Sequence, residues 1–490
     1  MAVILGVLLL PALGAGLAAV LGPRRQLPVA LATSALTLVA ALLLVRDVVA
    51  AGRSSVEIGG VEVVVGVLIA DGLSAALVLL STTVLLVTTA FALLERFGGG
   101  GVRPVYGPLS LALLAGLHGL FLAGDLFTAY LMLELVAVAG AAMVVLGGGH
   151  ERLVAGTRYF LAELVASVTF LVGTALVWTV AGTVVIAELP GHLGDHAVGR
   201  LGLALLTVGL LLKVPVVPLH FWLPAAHTLA PTTVSPLLSA LVVKSAFVVL
   251  LRIWGEGVPQ LATTAFVQLL GALGVIAVVW GGLTALRAPR VKQVVAYSTV
   301  AQLGLLLMAV PMIGAGSVEA WVGGVLHAIA HALPKAALLL AVALLAHTMG
   351  GDTVERLEGA ATRRPLAAFA VGVAGLSLIG LPPTGGFVAK WYLVVASIST
   401  GQWWWAVAIV AGSLLTAAYL ARLLQRCFGT VSAAPADRPL PVDRPLHAVR
   451  RGTDVLALAL AVGAIVMGLY PTPLLDLLGI GAPLGGIAHG

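Results

Sequence analysis

Lys213-Val-Pro-Val-Val-Pro-Leu-His-Phe-Trp-Leu-Pro224 lies within a stretch that is otherwise strongly apolar from residue 200 to 228. Pro215, Pro218 and Pro224 remove main-chain donors that an α-helix needs, so no regular helix runs through. A lysine and a broken helix inside an apolar span persist only where they line a cavity or are buried in protein. A second stretch repeats the combination. Gly380-Leu-Pro-Pro-Thr-Gly-Gly-Phe-Val-Ala-Lys390 sets Pro382, Pro383, Gly385 and Gly386 ahead of another lysine, and these four are expected to break the helix there. Together the two stretches predict an all-α, polytopic membrane bundle with two interrupted helices.

The rest of the chain agrees. Of its 490 residues 60% are hydrophobic and 9% charged, whereas a soluble domain carries about a quarter charged residues. Long unbroken apolar runs exclude a β-barrel. Hydropathy predicts fourteen spans, at about 2–21, 27–49, 71–95, 105–123, 126–147, 152–182, 200–228, 233–254, 261–286, 291–313, 319–347, 366–396, 403–427 and 453–470. Connections are short except for a polar stretch at 50–70 and a Pro/Arg-rich segment at 428–452. The first span has no basic residue before it, so it reads as a retained helix rather than a cleaved signal peptide.

Spans 4–8 and 9–13 are two sets of five, each with its fourth helix broken. An odd number of helices makes the second set run inverted in the membrane. One membrane domain follows: helices 1–3 over 1–100, a first repeat over 105–254, a second over 261–427, and a basic segment with the last helix over 428–490. The single cysteine, Cys427, can make no internal disulfide, and metal or iron–sulfur centres need several such ligands. No cofactor or metal is expected.

Of the 26 Lys and Arg, eighteen fall in connections after odd-numbered spans and four (Arg46, Arg53, Arg200 and Arg252) after even-numbered ones. By the positive-inside rule the odd connections are cytoplasmic and both termini outside. The net charge of +6 thus reflects topology and lipid headgroups, with no need of nucleic acid. Four cations remain, Lys213, Lys244, Lys335 and Lys390, all within spans. Five lysines exist in total, so nearly all lysine sits where charge costs most, about 2.5–3.5 kcal/mol each on insertion scales. Arginine keeps its proton, whereas a desolvated lysine can release one.

Glu134, in the middle of the fifth span, is the acid expected to partner Lys213; a packing role is its bland alternative. Glu163 lies about one turn beyond Arg158, which marks the expected cytoplasmic boundary, and is expected to snorkel. His327, His331 and Lys335 recur at i, i+4 and i+8 and form one titratable stripe on the eleventh span, suited to a proton relay. A metal site on the two histidines lacks a third ligand.

The stretch Pro218-Leu-His-Phe-Trp-Leu-Pro-Ala-Ala-His227, with Ala230-Pro-Thr-Thr-Val-Ser235, Leu241-Val-Val-Lys244, Ala296-Tyr-Ser-Thr-Val-Ala-Gln302 and Leu381 to Lys390, resembles the antiporter-like, proton-conducting subunits of Mrp-type cation/proton antiporters, respiratory complex I and membrane-bound hydrogenases. The resemblance covers about residues 65–427. It implies a proton path through Glu134, Lys213, Lys244, His327, His331, Lys335 and Lys390, and partners among other membrane subunits in a bacterial or archaeal cell membrane. Ala225 departs from it, standing where the family usually has Asp. The lysine at 390, where the otherwise matching complex I subunit has glutamate, and Val177 to Leu189 make the chain most similar to the Mrp D-type subunit of a Na+/H+ antiporter. The alternative is a proton-pumping subunit of NADH:quinone oxidoreductase or of a hydrogenase, with no redox site of its own.

Overall fold

Five of the described helices begin where a short polar side chain meets a free main-chain N–H. Asp71 accepts from Ser74 N, Asp125 from Thr128 N, Thr263 from Phe266 N, Ser317 from Ala320 N and Thr384 from Phe387 N; each such cap is worth about 1 kcal/mol. The computed structural model describes residues 1–58, 66–95, 105–194, 196–429 and 452–483. In chain order the principal elements are α1 (Ala2–Leu21), α2 (Gln26–Ala51), β1 (Ser54–Ile58), β2 (Gly66–Ala70), α3 (Gly72–Leu94), α4 (Tyr106–Leu122), α5 (Leu126–Val144) and α6 (His150–Ala181). The broken α7a (Ala197–Lys213) and α7b (Leu223–Leu229) follow, then α8 (Ser235–Gly257), α9 (Thr264–Arg287), α10 (Val291–Gly314) and α11 (Val318–Thr348). The second broken helix is α12a (Pro365–Ile379) and α12b (Gly385–Ser399), followed by α13 (Trp403–Phe428), α14 (Gly452–Leu469) and α15 (Thr472–Gly479).

Eleven of these helices are long and apolar enough to cross a membrane, and α4, α12a and α12b are shorter apolar helices. Each expected span has its helix, with ends within about three residues of those read from hydropathy. Most of the Pro/Arg-rich segment, 430–451, lies outside the described residues. The stretch at 50–70, expected to be a plain polar connection, instead supplies an antiparallel hairpin in which Ser54 pairs with Ala70 and Ile58 with Gly66. Its second strand is largely apolar and buried, and it is pinned to the start of α5, where Val67 N donates to Asp125 Oδ2 at 2.7 Å.

The residues expected to break the helices fall into two groups. Pro215 and Pro218 lie in the turns between α7a and α7b, Pro215 buried directly behind Lys213 and Pro218 exposed, and Pro382 and Pro383 lie between α12a and α12b. Pro224, by contrast, sits in the first turn of α7b, where a helix has no use for its missing N–H. Gly385 and Gly386 differ from expectation too, since they are the first two residues of α12b rather than part of the gap. Their smallness serves packing: a Cβ on Gly386 would collide with the Ser377 carbonyl of α12a.

Burial is unequal. In their most apolar windows α8, α10 and α11 are each 94% buried, against 28% for α1, so these three lie in the interior with the largely buried α4, and α1 lies at the periphery. Close crossings are made by glycine. A Cβ on Gly304 would collide with Gly274 O, and one on Gly274 would lie 2.5 Å from Gly304 O, where α9 meets α10. Gly173 and Gly202 do the same between α6 and α7a. Without a hydrophobic force between helices in lipid, such close approach supplies the attraction.

The connections gather at two ends. Arg290 bridges to Thr353 at one, near Arg152 and Lys292; at the other the hairpin joins Ala123, Asp125 and Val185. Among the described residues, the basic end thus holds connections that follow odd-numbered spans and the hairpin end ones that follow even-numbered spans.

Gly304→Val should overpack the α9/α10 crossing, at a cost of about 1–3 kcal/mol. We expect a lower yield of folded protein in detergent and a lower melting temperature, while Gly16→Val, in open space, should leave both unchanged.

Candidate functional site

Lys213 is the last residue of α7a, where unpaired carbonyls and the negative helix end favour a cation. The break that follows is held by Trp222, whose Nε1 donates to Leu212 O at 3.0 Å and whose ring stacks on Tyr159 at 4.7 Å. Lys213 Nζ donates to Glu163 Oε2 at 2.7 Å, both side chains being buried. Glu163 thus takes the place expected of Glu134. Glu134 stands beside this pair, close enough for its charge to act on Glu163, with Oε1 buried and unbonded. Glu163 alone bonds the lysine, and Glu134 stands next to Glu163. Glu163 does not snorkel, because α6 begins at His150 rather than near Arg158, which places residue 163 about 20 Å along the helix.

Lys244 lies on α8 between two π-helical turns, Leu238–Val242 and Ile253–Gly257. Such turns widen the main-chain ladder and concentrate at functional sites. Its Nζ donates to Ser239 O at 3.2 Å and Ala240 O at 2.6 Å. Ser239 Oγ and Thr299 Oγ1, 2.8 Å apart, link this turn to α10. Lys335 on α11 donates to Val295 O at 3.0 Å and to Ser298 Oγ, both on α10. The His327 and His331 rings stack at 6.0 Å. Lys390 turns back from α12b to the carbonyls of Leu378 and Ile379, at 3.0 and 2.8 Å, and to Ser413 Oγ at 3.0 Å. Lys390 thus closes the second break, whereas at the first Trp222 bridges the gap and Lys213 turns to Glu163 on α6.

Among the described residues only Lys213, of these four, is paired with a carboxylate; the other three hold neutral oxygens. Lys244 and Lys335 are near enough for their charges to oppose each other, and His331 faces both as well as Lys390. His227, which sequence reasoning gave no role of its own, sits on α7b facing Lys244 and Lys335. Its two ring nitrogens, both of His327, Nε2 of His331 and Oε1 of Gln302 are buried without partners. Buried polar atoms of this kind ordinarily meet ordered water. The signal for His227 is present in the sequence, as a polar residue in the second half of a broken helix. Ala225 offers no charge at that break.

At the hairpin end of α8, Arg252 is no loop cation, although its place after an even-numbered span suggests one. It is buried, bonded to Asp71 at 2.9 and 3.1 Å and to Glu256 at 3.0 Å.

Glu163→Gln leaves Lys213 buried without its counter-charge, which typically costs about 3–5 kcal/mol. The variant should unfold at a distinctly lower temperature than the parent, and Glu134→Gln, which breaks no bond, should not. Equal destabilisation by both would show that Glu134 shares the pair.

Residues 123–416 match the family described as NADH:quinone oxidoreductase/Mrp antiporter, transmembrane. The N subunit of the NADH-quinone oxidoreductase of Desulforudis audaxviator is 32% identical over 74% of this chain and 73% of its own. The D-type subunit of the Na(+)/H(+) antiporter of Bacillus subtilis is 28% identical over 81% and 80%. A chain of the Mrp complex from Dietzia has a TM-score of 0.86 at 26% identity, covering 99% of this chain and 96% of that one. A chain of respiratory complex I from Thermus thermophilus has a TM-score of 0.74, also at 26% identity, covering 99% and 100%. The chain therefore belongs to the NADH:quinone oxidoreductase/Mrp antiporter family of antiporter-like membrane subunits.

Proposed function

We propose that the chain is the proton-translocating subunit of a multisubunit cation/proton antiporter, similar to the Mrp D-type subunit, with Na+ as the exchanged cation. One observation carries this reading: lysines at both helix breaks and in the enclosed interior, of which one is held by a carboxylate and three by neutral oxygens. When Glu163 or Glu134 approaches Lys213, the ammonium is stabilised; when the carboxylate withdraws, the proton is free to leave toward Lys244. From there His227, His331, Lys335 and His327 lie on the way to Lys390. Each is a group able to take a proton and give it up.

The working unit contains other hydrophobic subunits, since the structural relatives belong to membrane complexes. It lies in the cell membrane of a bacterium or archaeon, basic end cytoplasmic and termini outside. A second reading, a proton-pumping subunit of a redox enzyme, is favoured by the 32% identity to an NADH-quinone oxidoreductase subunit. The likeness of Val177 to Leu189 to the Mrp D-type subunit favours the antiporter.

Lys213→Arg preserves the charge and the pair with Glu163, yet arginine keeps its proton. The complex should assemble while Na+/H+ exchange in membrane vesicles stops; near-parental exchange would leave this lysine an electrostatic role only. Exchange driven by a pH gradient alone supports the antiporter, whereas proton movement that requires an electron donor supports the redox pump. Orientation is tested with an impermeant maleimide. Ser55→Cys should label in intact cells and His150→Cys only after lysis; the reverse pattern overturns the topology.

A further inference from the structure

Helices α3 and α4 contain none of the four lysines, yet their basic ends hold a second line of buried polar groups. Glu95 follows the last turn of α3 and has Oε1 buried without a partner. It faces Lys292 of α10 and Arg364 at the start of α12a. Neither cation depends on it: Lys292 donates to Ala230 O at 2.8 Å, and Arg364 pairs with both oxygens of Asp454 at 2.8 and 2.9 Å. Burial outweighs both charges and raises the Glu95 carboxyl to about 8.

Tyr106, in the first turn of α4, is wholly enclosed. Its hydroxyl is set among those of Thr88, Thr89 and Thr233, feels the charge of Glu95, and makes no hydrogen bond. Thr89 Oγ1 is also unpartnered. Thr233 lies between α7b and α8, and Ser235, two residues on, donates to His227 O at 3.1 Å. A ring in this place is explained by packing; a buried phenol hydroxyl beside three threonines and a carboxyl is not.

We propose that Glu95 and Tyr106 form the inlet by which protons from the cytoplasmic, basic end reach His227 and Lys244. This rests on the proton-translocating reading above. The Glu95 carboxylate takes a proton from solvent and hands it to the line of hydroxyls and water. Each member of that line accepts one proton as it releases another. The Lys244 amine receives the last one to become ammonium, and the Glu95 carboxylate is restored.

The test uses the full chain in its assembled complex, reading exchange in vesicles as a function of cytoplasmic pH. Tyr106→Phe keeps the ring and should slow exchange by about 100-fold, the lower end for a lost proton-transfer group. Glu95→Gln should slow it similarly and abolish the decline expected as pH rises past about 8. Glu95→Asp should restore rate and decline in part. A purely structural Glu95 would lower the amount of complex without changing the pH profile. Parental rates and profiles in Tyr106→Phe and Glu95→Gln, in a preparation where Lys244→Gln is inactive, would overturn the inlet alone. Full activity of Lys244→Gln would overturn the translocation reading and the inlet with it. Should Glu95→Gln fail to assemble, Tyr106→Phe decides.

Discussion

An ammonium group held inside the bilayer needs oxygen acceptors, and lipid supplies none. The architecture follows from how the chain provides them. At each break a helix ends early and leaves carbonyls free; Lys390 takes those of Leu378 and Ile379, while Lys213, at the other break, takes the carboxylate of Glu163. Where no helix ends, the π-helical turn at Leu238–Val242 loosens the ladder and Lys244 bonds two of its carbonyls. Lys335 borrows a carbonyl and a hydroxyl from α10. Prolines, π turns and small residues are thus parts of one arrangement that keeps cations solvated by protein.

That arrangement also explains which helices are interior. Lys244, Lys335 and the two stacked histidines lie on α8 and α11, and their acceptors on α8 and α10. A helix bearing such groups cannot face acyl chains at acceptable cost, so these three are enclosed and the purely apolar α1 lies outside. The glycine crossings follow. Gly274 against Gly304 brings α9 onto α10 closely enough to shield that helix from lipid.

Much of this is legible in the sequence, for physical reasons. A span long enough to cross a bilayer must be continuously apolar, so hydropathy locates each helix. A proline cluster inside one forces a break, although Pro215, Pro218, Pro382 and Pro383 mark the gaps while Pro224, Gly385 and Gly386 open the helices beyond them. A lysine there is costly enough to need partners inside the protein. The partner of Lys213 is not legible, because Glu134 and Glu163 lie on different helices and the choice depends on how α5 and α6 pack against α7a. Arg158 misleads about the depth of Glu163, since α6 starts eight residues earlier at His150. The hairpin is invisible to hydropathy because its two five-residue strands are too short and too mixed for the window. Arg252 reads as a loop residue since its counter-charge Asp71 is 181 positions away.

Arg252 and the lysines, finally, show two uses of positive charge under the same constraint. Arg252 forms a fork with Asp71 and a further bond to Glu256, so its charge is matched by carboxylates and has no need to move. Such a group fixes α8 to the start of α3 and stays there. Lys244, about two turns back on the same helix, has the same sign and burial but meets only neutral carbonyl oxygens. Those oxygens can accept from an ammonium or an amine alike, so gaining or losing a proton breaks no ion pair. Arginine thus anchors the bundle where charge must be permanent. Three of the four lysines within the spans, Lys244, Lys335 and Lys390, meet only neutral oxygens, and under the proposed translocation these are the places where charge comes and goes.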